Sequence, residues 1–565
     1  MKILSIHSGH DASAAIYNNF ERVAIYKEER LSRIKSDGGK IPFLSINKLK
    51  EKVDFSKIEA VLISIAQFPY SVYNFSKMKQ FKYLLKDKII NNEKYYALRV
   101  KLREANTLDY NKVLNFDKLK EILGVNKKAE IFVYSHHLAH VLPILYYQKD
   151  FNNTLLYSLD GGGDASDMGV SYFNGEKLTH IFNEKEYILS ENRPFSFVGQ
   201  LYSAVTEYCG FKRNRHEGKI TGLAAFGKPI LSDIFLEKFE VKNGIILTKF
   251  KTIEEVKQFV NSFDVSKEDI SASVQKFTEE IVAESIKQLH KIYGFNTIGL
   301  SGGVFSNVKL NQIISELDFI DDMFVFPPMG DEGLIVGGVF EYLIEKYGFE
   351  KFLENRLNSM EVPYWGDEYR ISKKDIPNDF KIIADKDIIK NSVKLLKENK
   401  VCAIFTKSME YGPRALGARS ILINPSDRSI NDTVNERLDR TEFMPFAPYV
   451  RFEKVKDIFN FPDSSLKAMK YMTVTCEVKE EFREKIQATV HVDNTARPQT
   501  IKKEDNPLYY GILEEFEKET SIPCLVNTSF NAHEEPIINT FDEALNALKN
   551  NRIDYLITDN FIIGQ

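Results

Sequence analysis

The chain has 565 residues. At roughly 100–200 residues per domain that length implies about two to four domains. Its 76 Lys and Arg nearly balance 80 Asp and Glu, for a net charge of −4, so the surface as a whole is not built to track nucleic acid. With 43% hydrophobic and 28% charged residues, extended disorder is excluded. Only four Cys occur, with no Cys-x-x-Cys spacing; this argues against a disulfide framework and a thiolate zinc site and suits a reducing cytoplasm. No apolar run approaches the ~18 residues that span a bilayer, and Met1–His7 reads as a buried strand rather than a signal peptide.

The pattern opens with an internal repeat. Residues 4–28 read as a strand (Leu4–His7), a glycine turn, a strand (Ser13–Tyr17), an Asn18-Asn19 turn and a strand (Arg22–Tyr26). Residues 155–183 read the same way: Leu155–Leu159, the turn Asp160-Gly161-Gly162-Gly163, Gly169–Phe173, Asn174-Gly175 and Leu178–Phe182. Period-two patterning with Asn/Gly turns is hairpin chemistry. At an offset of 153 residues, Gly9 falls on Gly162, Asp11–Ser13 on Asp164–Ser166, and His7 on Asp160. Two halves that each open this way resemble the actin/sugar-kinase/Hsp70-like ATPases (ASKHA, RNase H-like). In that α/β architecture small turn residues let backbone N–H groups approach a nucleotide's phosphates.

Between the repeats, residues 76–104 carry nine Lys and Arg against Asp87, Glu93 and Glu104, with Phe81, Tyr83, Tyr95 and Tyr96 interleaved. Such a stretch is either an anion-binding segment or a solvated helical face. Ser135-His136-His137-Leu138-Ala139-His140 follows. On a helix capped by Ser135, His136 and His140 share one face about 5–6 Å apart and can chelate one divalent metal. Asp160 ends a strand before three glycines, and Asp331 stands in a loop before a helix; each is a carboxylate placed to complete such a site. Two His with one or two Asp suit Fe, Mn or Zn. His10, in the first hairpin turn, is a candidate proton acceptor. Arg33, Lys35 and Lys219 are candidate phosphate-binding cations.

Residues 269–293 predict an amphipathic helix with Ile270, Val274, Phe277, Ile281, Ile286, Leu289 and Ile292 on one stripe and Gly294 as C-cap. The strand Thr297–Leu300 then leads through Gly302-Gly303 to a second helix start, an arrangement that suits an anion or ribose. The pattern breaks near 350–375, at Pro363–Asp367, and a fresh α/β unit begins, with a helix at about 386–399 and a strand at Val401–Phe405. Its loops hold Arg414, Arg419, Arg437, Arg440, Arg497, Asn527 and Ser529 among Gly and Pro. Guanidinium forks of this kind match phosphate.

Gly9–Ser13, His136–His140, Gly218–Gly227, Gly412–Gly417, Met444–Pro448, Ala496–Thr500 and Asn527–Asn531 occur in the same order in the O-carbamoyltransferases, the nodulation-factor, cephamycin and tobramycin type, and the resemblance spans residues 1–565. It implies an N-terminal domain, 1–360, similar to the tRNA threonylcarbamoyl-transfer protein, in duplicated halves of about 1–150 and 151–360, and a C-terminal YrdC-like domain, 361–565. It implies a metal, Fe(2+) or another divalent ion, on His136, His140, Asp160 and Asp331, with His10 as general base. Lys35, Lys219, Gly302, Gly303 and Asn307 would hold the adenylate; Arg414, Arg440, Arg497, Asn527 and Ser529 would hold carbamoyl phosphate and ATP with Mg(2+). The C-terminal domain would make carbamoyl adenylate, and the N-terminal domain would pass the carbamoyl group to a hydroxyl of a sugar or secondary metabolite. The implied partners are small molecules, without membrane or nucleic acid; the resemblance also suggests self-association. Two positions depart from the family pattern: Ser8 stands where tobramycin-type members carry an acidic residue, and Asp439 stands near an expected Lys. The competing expectations are a tRNA-modifying enzyme contacting nucleic acid through the basic stretch at 72–104, and a non-enzymatic actin-like switch.

Overall fold

The structure, a computed structural model, describes residues 1–64, 68, 72, 74, 114–163, 166–182, 196–440 and 444–565. The basic stretch at 76–104 lies outside the described residues.

The first half is built on β1 (Lys2–His7), β2 (Ser13–Asn18), β3 (Glu21–Lys27), β4 (Ala60–Ile63) and β5 (Glu130–Val133). The second is built on β6 (Thr154–Gly163), β7 (Ser166–Phe173) and β8 (Leu178–Phe182), a separate hairpin β9 (Phe239–Lys242) and β10 (Ile245–Thr248), then β11 (Thr297–Ser301) and β12 (Asp322–Val325). The two five-stranded sheets run β3-β2-β1-β4-β5 and β8-β7-β6-β11-β12. In each, two antiparallel hairpin joints are followed by two parallel pairings. The duplication read from the hairpins therefore extends to both whole sheets, and the architecture is actin-like α/β.

One detail of the repeat differs from the offset read in sequence. Ile3 pairs with Tyr17, but its counterpart Leu156 pairs with Ser171 rather than residue 170. The strand after the turn is displaced by one residue. A register shift between Leu159 and Gly163 absorbs the extra residue, helped by Gly162 at φ 137°, a conformation open to glycine. The predicted helix is present as Lys267–Tyr293, closed by Gly294 in the left-handed region. Ile292 is not on its buried stripe: burial along the helix stops at Leu289, and Ile292 is exposed.

After each β-sheet a helix, His136–Tyr147 or Leu334–Tyr347, packs into the seam between the halves. They meet at backbone distance, because a Cβ on Gly337 would overlap the Ala139 carbonyl and one on Gly338 would overlap the Tyr134 ring. Glu341 from the second helix accepts the Ser135 N–H at 2.9 Å, at the cap of the first.

The C-terminal unit carries an eight-stranded mixed sheet in the order Lys381–Ala384, Ile562–Gly564, Tyr555–Ile557, Cys402–Phe405, Arg419–Ile423, Cys524–Ser529, Ala447–Arg451, Gln499–Ile501. Its strands begin beyond residue 361, and its core is not separate. Val455, Ile458, Met469, Val474 and Cys476 join the core of the second half, and Tyr411, Leu416 and Tyr471 join the core that the two halves share. Asn311 donates to the Thr473 carbonyl at 2.7 Å, and Ser464 donates to the Ser315 carbonyl at 2.6 Å. Among the described residues no helix is long and apolar enough to cross a membrane.

The Gly337→Ala variant is expected to lose about 2 kcal/mol or more, because the two helix backbones cannot both keep their places. Gly218→Ala, where an added Cβ meets nothing within 4 Å, should leave stability unchanged or raised. Urea unfolding midpoints of the two variants decide this.

Candidate functional site

The His136–Tyr147 helix is capped as the sequence predicted, with the Ser135 hydroxyl accepting the Leu138 N–H at 3.4 Å. One turn separates His136 from His140, so both face the seam. His137 points the other way, to the Ser158 hydroxyl at 2.9 Å, and burial pushes its imidazole down to about 3. His136 Nε2, His140 Nε2 and Asp160 Oδ2 lie 3.2 Å from one another. Asp331 Oδ1 stands 3.7 Å from His136 Nε2 and 3.8 Å from His140 Nε2. The four predicted ligands are thus brought together from the first helix, the end of β6 and the turn before the second helix.

The donor set fits a divalent ion. Donors bound at about 2.1 Å with angles of 90–110° lie roughly 3.0–3.4 Å apart, as three of these do, and two neutral imidazoles with two carboxylates are a borderline-hard set. Burial pushes the His140 imidazole down, which favours the neutral, metal-binding form. Burial alone would raise the Asp160 carboxyl; the hydrogen bonds from His136 and His140 overcome it and hold the group well below the usual carboxylate range. Glycines make room: a Cβ at Gly163 would overlap the His136 ring, and one at Gly303 would lie 2.9 Å from Asp160 Oδ1. Gly302, at φ 101°, packs on the Leu159 backbone and donates to the Met329 carbonyl at 2.9 Å. The Gly302-Gly303 turn is therefore part of the wall of the same centre.

His7 is a member that sequence reasoning missed. It is buried, with Nε2 3.0 Å from the His10 carbonyl and 3.4 Å from Asp331 Oδ2, and Nδ1 2.8 Å from the Ser64 hydroxyl. A carbonyl only accepts, so Nε2 carries the hydrogen. The signal was available as a His three residues before His10 at the end of a buried strand.

His10 itself is 43% exposed at the side chain, with Nδ1 2.6 Å from Asp11 Oδ2. Burial works against its charge, but the Asp11 contact outweighs it and pushes the imidazole up to about 9. At neutral pH it holds a proton, so it serves as a base only after giving that proton up. Asp11 sits at φ 56°, which Asp tolerates, and this lets neighbouring side chains meet.

The other expected contacts divide. Lys219 is buried with its ammonium 5.5 Å from the Phe211 ring centre, and the Lys35 carbonyl takes Arg215 at 2.9 Å. Asn307 caps the Val308–Ser315 helix through Oδ1 and donates to Gln275 at 2.8 Å, so its side chain holds structure. Arg33 is committed to the Pro536 and Ile537 carbonyls at 2.8 and 2.9 Å and to Glu543 at 3.1 Å; it straps the units together rather than meeting a phosphate.

In the C-terminal unit one carboxylate organises the Gly412–Gly417 loop. Glu410 Oε1 accepts the N–H groups of Leu416, Ala418 and Arg419 at 3.0, 2.6 and 2.9 Å. Asn527 donates to the Ala415 carbonyl at 3.3 Å and to Gln499 at 2.6 Å. The loop presents Arg414 half-buried, with Nε lacking a hydrogen-bond partner and burial pushing the guanidinium down. Arg497 is also half-buried. Arg440 binds Thr528, Ser529 and Asn531 at 2.7–3.3 Å, and so fixes the loop that carries Ser529. Arg437 pairs with Asp554 at 2.9 Å. Arg419 is fully buried over the Phe405 ring at 3.7 Å.

Among the described residues a second metal-capable group is His216, His533 and Glu534. Glu534 is already paired with Lys212 at 2.8 Å, Arg215 at 3.2 Å and His216 Nε2 at 2.8 Å. His216 Nδ1 accepts the Lys212 N–H at 3.3 Å, so its Nε2 carries the hydrogen toward Glu534. The group is an ion-pair clasp between the two units.

The comparisons with known proteins accord with these two polar centres. A family model described as the carbamoyltransferase N-terminus matches residues 2–340, and one described as the carbamoyltransferase C-terminus matches residues 393–565. The chain belongs to the carbamoyltransferase family and is a transferase. It is 30% identical to an uncharacterized protein of Methanocaldococcus jannaschii, over 100% of this chain and 99% of that one. It is 27% identical to the nodulation protein NolNO of Sinorhizobium fredii, over 98% of this chain and 79% of that one. A nodulation protein U from Rhizobium tropici is 30% identical over 52% of this chain and 48% of its own length.

Chain dialysed against Fe(2+) or Zn(2+) under reducing conditions is expected to retain about one ion per molecule. The His140→Ala and Asp160→Asn variants should lose at least about tenfold in metal affinity. Metal analysis after gel filtration checks this, and full occupancy in both variants would place the ion elsewhere.

Proposed function

We propose that the protein is an ATP-dependent O-carbamoyltransferase that makes carbamoyl adenylate from carbamoyl phosphate and ATP and passes the carbamoyl group to a hydroxyl of a sugar or secondary-metabolite acceptor. What carries the reading is that each family match covers one polar centre: 2–340 spans the His136–His140–Asp160–Asp331 group, and 393–565 spans the loops of Arg414 and Arg497.

In the C-terminal centre, Arg414 and Arg497 bind carbamoyl phosphate and the triphosphate. Water releases carbamate and inorganic phosphate from carbamoyl phosphate. A carbamate oxygen then attacks the α-phosphorus of ATP, and pyrophosphate leaves. The product is an acyl group on a good leaving group. In the N-terminal centre the Gly302-Gly303 turn and the cations Lys35 and Lys219 receive the adenylate. His136, His140, Asp160 and Asp331 would hold a divalent ion, which screens phosphate charge and orients the adenylate when bound. His7 fixes the Asp331 carboxylate. His10 takes the acceptor's proton as its oxygen attacks the carbamoyl carbon, and AMP leaves. The fused core and the Arg33 and Glu534 contacts keep the two centres in one rigid body, so the labile intermediate need not be released to bulk water. The acceptors are small molecules, and a cytoplasmic setting suits the buried thiols and the ATP supply.

The protein with ATP, Mg(2+) and carbamoyl phosphate is expected to release pyrophosphate, with bicarbonate plus ammonia a poor substitute. The His136→Ala variant should keep pyrophosphate release and lose carbamoyl transfer. Absence of any nucleotide turnover by metal-loaded wild type would sink the reading; mass spectrometry of carbamoylated products in a cell extract identifies the acceptor.

A further inference from the structure

Behind His10 lies a cluster of charged side chains that touches neither the ligand group's imidazoles nor the arginine loops' open ends. Asp11 is shared: its Oδ2 takes His10 Nδ1 at 2.6 Å and its Oδ1 takes Lys27 Nζ at 3.0 Å. Lys27 ends β3 opposite Ser13 and is buried. Its ammonium also faces Glu29 at 3.4 Å and Glu332 at 3.8 Å. Arg30 pairs with Glu29 at 2.8 Å and donates to the Gly412 carbonyl at 3.0 Å. The charged groups around the pair are thus His10 and Asp11 on the hairpin, Glu29 and Arg30 on the Glu28–Ser32 helix, and Asp331 and Glu332 before the Leu334–Tyr347 helix. Glu332 Oε1 is buried without a hydrogen-bond partner.

A carboxylate held between two cations pulls less on each than one that serves a single cation. An ammonium enclosed by three carboxylates stays charged. With Lys27 in place, Asp11 orients the imidazole through Nδ1 while part of its charge is answered on the other oxygen. Without Lys27 the whole carboxylate charge would fall on His10, and the imidazole would keep its proton to higher pH. We propose that Lys27 is a positioning residue for His10: by holding the second oxygen of Asp11, it sets the pH at which the imidazole gives up its proton. The catalytic part of this statement rests on the reading of His10 as the transfer base. The same Lys27 charge opposes the Asp11-driven rise at His10.

The test uses full-length protein with 13C-labelled histidine Cε1, the His10 resonance being assigned by its loss in the His10→Gln variant. Lys27→Met is made in a Glu332→Gln background, so that the carboxylate most buried beside it is not left bare; Lys27→Gln, which keeps a hydrogen bond to Asp11, is the second variant. Relative to Glu332→Gln alone, both are expected to raise the His10 titration midpoint by about one pH unit, and Lys27→Arg should leave it in place. The acid limb of the kcat/KM profile for carbamoyl transfer, read with methanol as hydroxyl probe, should move up with it. A midpoint that stays put in both variants overturns the inference. So does a midpoint that moves while the acid limb does not, since Lys27 would then act on the hairpin alone. A shifted midpoint in a chain that carbamoylates nothing, wild type included, supports the coupling and overturns His10 as the transfer base instead.

Discussion

The close crossing of two helices in the seam between the duplicated halves is the constraint on which the site depends. The His136–Tyr147 and Leu334–Tyr347 helices meet where glycine allows backbone to approach backbone, at Gly337 against Ala139, while Gly338 makes room for the Tyr134 ring just before the first helix. That approach brings the first turn of one helix, with His136 and His140, to the turn that carries Asp331. It also places both beside the end of β6, where Asp160 projects. A wider crossing would leave two imidazoles and two carboxylates as separate surface groups. At this separation their donor atoms converge from parts of the chain almost two hundred residues apart.

Charge in the seam follows from the same geometry. Burying ions costs several kcal/mol each unless partners answer them, and the chain answers nearly all of them in pairs that cross between elements. Lys27 stands among Asp11, Glu29 and Glu332, and His7 between Asp331 and Ser64. Arg30 and Arg33 carry the pattern into the C-terminal unit through the carbonyls of Gly412, Pro536 and Ile537. These contacts, with the shared apolar cores, make the two family-matched regions one body. They also give several cations that look phosphate-binding in sequence a second use, in holding structure. A guanidinium with five donors suits a phosphate, and it suits several backbone carbonyls equally well; Arg33 and Arg440 are used in the second way.

Much of the fold was legible because its signals are local. The paired hairpins were set by period-two burial and Asn/Gly turns, and the Ser135 cap and the His136/His140 face by helical spacing. The one-residue displacement of the second hairpin was not legible, since an extra glycine in a turn leaves the alternating pattern of each strand intact. Ile292 was misplaced because periodicity cannot tell where a helix runs past the core that covers it. His7 was passed over as one more strand residue, since its partners Ser64 and Asp331 come from distant elements.

By itself the sequence determined the duplicated actin-like plan, the start of a second α/β unit and the shared helical face of His136 and His140, all of which rest on short-range spacing and steric preference. Only the tertiary structure decided how those residues are used. It brought the four donors of the ligand group within reach of one ion, joined Lys27 to His10 through Asp11, and committed Arg33, Arg440, Asn307 and Asn527 to the protein's own carbonyls and amides. The physical reason is that a side chain's type fixes what it can donate or accept. Which partner satisfies it depends on what the folded chain buries beside it.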